Sequence, residues 1–379
     1  MSSNIQRKFL RRSPRNGLHD SKNNSFFNRL HLDPWLCLFI SLTALLGFIT
    51  LYSASGGNGT LLSKQIMGFG IGFIVMFSLA QVKPKIYQVM TPLLYFIGLL
   101  GLVAVFLVGE VRLGAQRWIS IPGFGSVQPS EFMKIIMPMM AAWFLSRHIP
   151  PSFKHIMMML GLILLPFLMI AKQPDLGTSA LVFASGLFIL FLSGIPWKII
   201  ILSGSLIAIV VPFFWKFLLH DYQKKRVMTL FDPEADALGS GWNIIQSKIA
   251  IGSGGVSGKG FLNGTQSHLH YLPERHTDFI IAAFSEEFGF IGIILLMFLY
   301  FAIIIRTMQI SMNAIDNYGK LLAGGFGLAF FVYVFVNAGM VSGILPVTGI
   351  PLPFMSYGGT AVITLMASFG IVMSIHTHK

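Results

Sequence analysis

Long apolar runs separated by short polar breaks dominate the chain. A bilayer-spanning helix needs about 20 largely apolar residues, and such runs lie near 34–53, 65–82, 88–108, 129–146, 155–171, 176–195, 199–218, 279–305, 321–345 and 357–375. The pattern predicts about ten transmembrane helices. Only Lys172 to Asp175 separate the fifth from the sixth, which predicts a tight hairpin. One polar stretch, 219–278, is far longer than a turn. It contains N-I-I-Q-S-K-I-A-I, whose spacing fits a short amphipathic helix, followed by the glycine run G-S-G-G-V-S-G-K-G, a closely approachable backbone.

Composition fixes the class. The 379 residues are 54% hydrophobic and 11% charged, against about 25% charged in a soluble domain. The fold class is therefore all-α: a polytopic integral membrane protein with about ten helices and one long loop. The net charge of +13 does not point to nucleic acid, because the cations sit at the ends of apolar runs, where they set orientation. Seven lie before residue 30, and residues 1–32 read as a basic, disordered cytoplasmic tail, with 33–379 as the membrane domain. With the tail inside, fifteen Lys and Arg fall on the cytoplasmic side and four in the short outer loops. Both termini are then cytoplasmic, and loop 219–278 is extracytoplasmic. Cys37 is the single cysteine, so no internal disulfide can form. The run Trp35–Leu51 ahead of Ser-Ala-Ser-Gly faintly resembles a signal peptide, but its basic leader is too long, and it reads as a retained first helix.

The glycine run is not a nucleotide loop, since Gly260 follows Lys259 and position 253 is Ser. By this topology several polar groups share the outer face. Asp278 closes P-E-R-H-T-D-F, Asp175 sits in Q-P-D-L-G-T, Glu131 in Q-P-S-E with Lys134 one turn later, and Trp118 follows Arg117. Glu286 and Glu287 lie two turns into the eighth span, and the eight-residue spacing from Asp278 to Glu286 allows one shared helix face. Each has a plain reading: helix caps for Glu131, Asp175 and Asp278, a belt tryptophan for Trp118, and a buried pair for Glu286, for which Lys248 is the expected partner. His268 and His270 alone are too few for a metal site. Their convergence on one membrane face favours function, because intramembrane acids are costly. A transporter and an enzyme acting on a lipid-linked substrate both fit; polar residues thin out toward the inner half, which favours the enzyme.

The motifs also carry a resemblance. N-A-G-M-V-S-G-I-L-P-V-T-G-I-P-L-P-F-M-S-Y-G-G-T-A at 337–361, with G-A-Q-R-W-I, Q-P-S-E-F-M-K, Q-P-D-L-G-T-S, D-Y-Q-K-K-R-V, Q-S-K-I-A-I-G-S-G-G and P-E-R-H-T-D-F, resembles the SEDS family from about residue 33 to the end. L-P-V-T-G-I-P-L-P lacks the lysine of division members between Pro346 and Gly349, so the resemblance is to the elongation members. The basic, Asn-rich tail is longer than the family's usual one.

The resemblance implies a peptidoglycan glycosyltransferase that polymerises lipid II at the outer face of the bacterial cytoplasmic membrane. It implies work beside a class B penicillin-binding protein and other elongation-complex proteins. Carried over by motif, Asp278 matches the catalytic aspartate, and Trp118 and Asp175 match positions needed for activity. A sugar hydroxyl would attack the anomeric carbon and displace undecaprenyl pyrophosphate with inversion, Asp278 acting as general base. Lys248, Lys259, Arg226 and Arg275 are the candidate cations for the pyrophosphate, with Glu131 and Glu286 among the substrate-binding candidates. A divalent metal held by acids is the alternative, and no cofactor is otherwise implied. The rival functions are a lipid II flippase and a non-catalytic scaffold for the penicillin-binding protein.

Overall fold

The computed structural model describes residues 29–112, 115–121, 125–195, 201, 224, 228–236, 240–268, 272 and 274–378. The tail up to residue 28, most of the seventh predicted span, Arg226 and His270 lie outside the described residues. Within them the architecture is helical. The membrane helices are α1 (Pro34–Ala54), α2 (Gly59–Ala80), α3 (Pro84–Val108), α4 (Pro129–Leu145), α5 (Phe153–Lys172) and α6 (Leu176–Leu192). The long loop contributes α7 (Ser240–Gly254) and the single turn α8 (Thr265–His268), and α9 (Ile280–Asn313), α10 (Asn317–Val341) and α11 (Gly359–Thr377) follow. Nine of the ten predicted spans thus coincide with helices among the described residues, and seven of those are long and apolar enough to cross a bilayer. The expected hairpin between α5 and α6 is present, and N-I-I-Q-S-K-I-A-I forms the body of α7.

Local chemistry sets the helix starts. Asp33, Asn58, Asp175 and Asp316 each accept a backbone N–H from the first turn of the helix they precede, and Pro34 and Pro84 open α1 and α3 with a φ already suited to a helix. Burial then sorts the bundle. The apolar windows of α10 and α11 are 61% and 67% buried, against 28% for α2, α3 and α5, so the first pair is central and the other three face lipid. α11 packs along α2, α9 along α10 and α1, and α4 along α3 and α6.

Two features depart from the sequence reading. The segment after α3 is not a plain loop but a three-stranded antiparallel sheet, β1 (Glu110–Arg112), β2 (Ala115–Ile121) and β3 (Gly125–Val127), with Trp118 opposite Glu110. A search for runs of helix length passes over strands of three to seven residues. Second, α9 is broken at Gly289, whose φ of 63° and ψ of −161° are not helical. The glycine run of the long loop fills the break. Lys259 N and Gly260 N donate to the carbonyls of Glu286 and Glu287, while Phe290 N and Ile291 N donate to those of Gly255 and Val256. A β-carbon at Gly258 would stand 2.1 Å from Glu287 O, and one at Gly289 would stand 2.3 Å from Gly258 N, so only glycine fits at either position.

Candidate active site

Asp278 does not lie on the same helix as Glu286. It belongs to a turn, 274–279, that ends before α9 begins at Ile280. Phe279 occupies the cap position, and no side chain caps the helix, so Asp278 is not the N-cap. Glu274, at φ 52°, accepts from the backbone N–H groups of Thr277 and Phe279, which closes the turn. Arg275 anchors it from behind, donating from Nε to Ala54 O at the end of α1, 2.7 Å away. Arg275 as a whole is only 9% exposed, and burial pushes the pKa of its guanidinium down.

The front of the turn is held by residues 337–358, the end of α10 and the loop that follows it. Three consecutive carbonyls are taken in order. Tyr357 N donates to His276 O at 2.8 Å, Ser356 Oγ to Thr277 O at 2.5 Å, and Asn337 Nδ2 to Asp278 O at 2.9 Å. Gln65 of α2 steadies this loop in turn, donating to Ser356 O and accepting from Gly358 N. The Asp278 carboxylate lies over Gly349, where a β-carbon would stand 3.6 Å from Oδ2. The side chain is half-buried.

The other motifs meet the same loop. Asp175 does cap α6, accepting from Thr178 N at 3.1 Å, and it also accepts from Gln128 Nε2 at 3.0 Å and faces Arg117 Nη1 at 3.8 Å. Arg117 further clamps the hairpin through the carbonyls of Gln173 and Pro174. The glycine of D-L-G-T brings this helix start against the loop: a β-carbon at Gly177 would stand 2.8 Å from Thr348 O. Trp118, half-buried, follows Arg117 on β2. Lys248, on the exposed side of α7, crosses Gly343 at the start of the loop, where a β-carbon would stand 2.8 Å from Nζ. Asp278, Lys248 and the helix start that Asp175 caps therefore all adjoin residues 343–350.

Glu131 pairs with Lys134 one turn on, and Thr364 Oγ1 donates to its Oε2 at 3.3 Å. Lys134 Nζ also stands 5.4 Å from the centre of the Tyr333 ring. Lys134, Tyr333 and Thr364 line a cleft with two adjoining hollows. One has an apolar wall of Phe326, Phe330 and Phe369; the other reaches Pro351, Phe354 and Ser356 of the loop.

Glu286 is fully buried and paired, but its partner is Lys259 and not Lys248. Its Oε1 accepts from Lys259 Nζ at 2.7 Å and from Thr265 N, Thr265 Oγ1 and Gln266 N at 2.8–3.0 Å. Glu287 accepts from the Ser53 hydroxyl. Lys259, Glu286 and Arg275 thus hold the framework together. Among the described residues no three His, Cys, Asp or Glu side chains gather as a metal-binding group. Sequence reasoning passed over Gln65, Arg117, Gln128, Asn337 and Ser356 as site residues. Four of them stand inside the quoted motifs, while Gln65 carries no local signal in its apolar run.

A many-helix membrane enzyme of the SEDS class is what this frame defines, and the comparisons with known proteins agree. A family model described as "Cell cycle protein", covering FtsW, RodA and SpoVE, matches residues 34–379. The chain is 51% identical to the peptidoglycan glycosyltransferase MrdB of Escherichia coli K12, over 94% of this chain and 96% of that protein. It superposes with a TM-score of 0.80 on a protein of a solved peptidoglycan synthase complex that coordinates polymerization and crosslinking. That match is 28% identical and covers 91% of this chain and 97% of the other. For the rod shape determining protein RodA of Thermus thermophilus the TM-score is 0.68 at 26% identity, over 91% and 96%. The chain belongs to the FtsW/RodA/SpoVE family.

Proposed function

We propose that this multi-pass membrane protein is a peptidoglycan glycosyltransferase of cell elongation, polymerising lipid II with Asp278 as general base. The observation that carries the reading is the Asp278 turn: a half-buried carboxylate whose backbone is fixed, carbonyl by carbonyl, by the end of α10 and by a loop that also lines one of the two hollows. The sugar 4-hydroxyl of the acceptor attacks the anomeric carbon of the donor and gives its proton to Asp278. The new glycosidic bond forms as the bond to the pyrophosphate breaks, and the leaving group departs with the electron pair and the configuration inverted. Positioned base catalysis of this kind contributes about 10²–10⁴-fold.

The departing pyrophosphate needs positive charge. Lys259 and Arg275 are engaged with Glu286 and Ala54 O, which leaves Lys248 at Gly343 as the cation best placed among the described candidates. Asp175, Arg117 and Trp118 shape the α6 side of the site. Lys134, paired with Glu131, lines the cleft, whose aromatic wall suits a polyprenyl tail better than a polar route across the bilayer, which speaks for polymerisation over flipping. The Lys and Arg distribution supports an extracytoplasmic site with both termini cytoplasmic. A class B penicillin-binding protein is the fitting partner, since the structurally similar complex couples polymerization to crosslinking.

The test is polymerisation of purified lipid II by the purified protein with its partner. Asp278→Asn should lower the rate by about two to four orders of magnitude while the protein stays folded and partner-bound. Near-normal polymerisation by folded Asp278→Asn protein would remove the assignment.

A further inference from the structure

The three pinned carbonyls differ in who holds them. Tyr357 uses its backbone and Ser356 its hydroxyl, both from the loop itself, whereas Asp278 O is held from inside helix α10 by the side chain of Asn337. Asn337 is fully buried. Its amide nitrogen has two N–H groups, one directed at Asp278 O at 2.9 Å and the other at Ile350 O at 2.7 Å. Both neighbours are carbonyls, which only accept, so the nitrogen end of the amide must face them. Among the described residues the far end, Oδ1, has no hydrogen-bond partner, so the two directed N–H groups are what fix this side chain.

The two carbonyls belong to the two segments that make the site. One is the backbone of Asp278. The other follows Gly349, over which the Asp278 carboxylate lies. One amide therefore ties the aspartate's main chain to the strip of loop beneath its side chain. Aspartate at this position would set oxygen against oxygen, an aliphatic residue would leave both carbonyls unpaired, and glutamine is one methylene too long.

We propose that Asn337 is a positioning residue that fixes the Asp278 carboxylate against Thr348–Ile350, in line with the attacking hydroxyl. The proposal rests on Asp278 being the base; Asn337 itself touches no reacting atom.

The test measures kcat and KM for lipid II polymerisation by the full chain with its partner, for wild type, Asn337→Ala, Asn337→Asp and Asp278→Asn. It runs from neutral to mildly acidic pH. Asn337→Ala should lower kcat at least about tenfold with KM within about twofold, since a base misplaced by about 1 Å can lose 10²-fold. Asn337→Asp should fail at neutral pH, and its rate relative to wild type should rise as pH falls. A buried acid between two carbonyls takes up a proton early and then regains one donor. A residue that merely held the fold would lower the folded fraction, which protonation also restores, so rates are taken per folded molecule, and on that basis its ratio would stay flat. Wild-type kcat in Asn337→Ala, or a flat pH ratio in Asn337→Asp, overturns the proposal. Should Asn337→Ala not fold, the pH series of Asn337→Asp decides. An inactive Asp278→Asn beside a normal Asn337→Ala would sink only the positioning role, whereas an active Asp278→Asn would sink the base assignment and this role with it.

Discussion

Lys259 Nζ lies 2.7 Å from Glu286 Oε1, so a cation of the long loop closes on an acid buried inside a membrane helix. The pair joins the glycine run, α8 and α9 through one carboxylate oxygen. Removing one partner of such a pair strands the other. Lys259→Ala is expected to destabilise the protein by roughly 3 kcal/mol, the low end for buried pairs because Lys259 is partly exposed. Thermal unfolding in detergent would measure it, and an unchanged melting temperature would contradict the structural role given to this pair.

Lys248 and Lys259 should separate cleanly. If Lys248 meets the departing pyrophosphate, Lys248→Ala lowers kcat about 10–10²-fold with little change in melting temperature. Lys259→Ala should do the reverse, costing stability first. Steady-state polymerisation and unfolding measured on the same two preparations would tell, and equal behaviour of the two variants would undo the division of roles.

Gly289→Ala tests the splice in α9. A β-carbon there meets Gly258 N at 2.3 Å, and the φ of 63° is strained for alanine by about 1–3 kcal/mol. The expected outcome is release of the glycine run, read as faster protease cleavage within residues 255–263 than in wild type. Unaltered cleavage would show that the loop docks without these contacts.

Arg117 spans the carbonyls of Gln173 and Pro174 and faces Asp175, a geometry that a lysine cannot reproduce. Arg117→Lys should cost about 1.5–3 kcal/mol, the usual value of a hydrogen bond to a charged group. Polymerisation should fall in step, because the start of α6 abuts Thr348. Full stability in Arg117→Lys would mean that the hairpin holds itself.

The orientation has its own check. In a Cys37→Ser background, a cysteine at the exposed Val256 should react with an impermeant reagent in intact cells, and one at Ser2 should not. The opposite pattern would turn the protein over and move the site to the other face.

Much of this was legible along the chain. Helix-length apolar runs mark the spans because hydrocarbon thickness leaves little choice of length. That Asp278 and Asp175 belong near one another was suggested by motifs placed at one face. What local pattern could not reveal was contact. E-E-F-G-F-I-G reads as uninterrupted apolar helix, and the break at Gly289 exists only because residues 254–260 lie across it. For the same reason Glu286 was paired with the wrong lysine: Lys248 and Lys259 are near each other in sequence, but only the second follows the glycine run into the break. Asp278 was rightly set at the end of the loop but was allowed a helix face shared with Glu286, whereas the fold of 274–279, held by the loop at 352–357, keeps it off the helix.

The splice at Gly289 also bears on biogenesis. A backbone group left unpaired in hydrocarbon costs several kcal/mol, and α9 alone cannot satisfy the groups around its break. The stretch from Phe290 to Asn313 is long enough and apolar enough to enter the bilayer by itself, whereas Ile280 to Phe288, with its two buried acids, has no satisfied state until the glycine run has folded back onto it. The glycine run precedes this helix in the chain, so Ile280 to Phe288 is expected to settle only once residues 254–260 have docked across the break, and the Asp278 turn that leads into it should form late in folding.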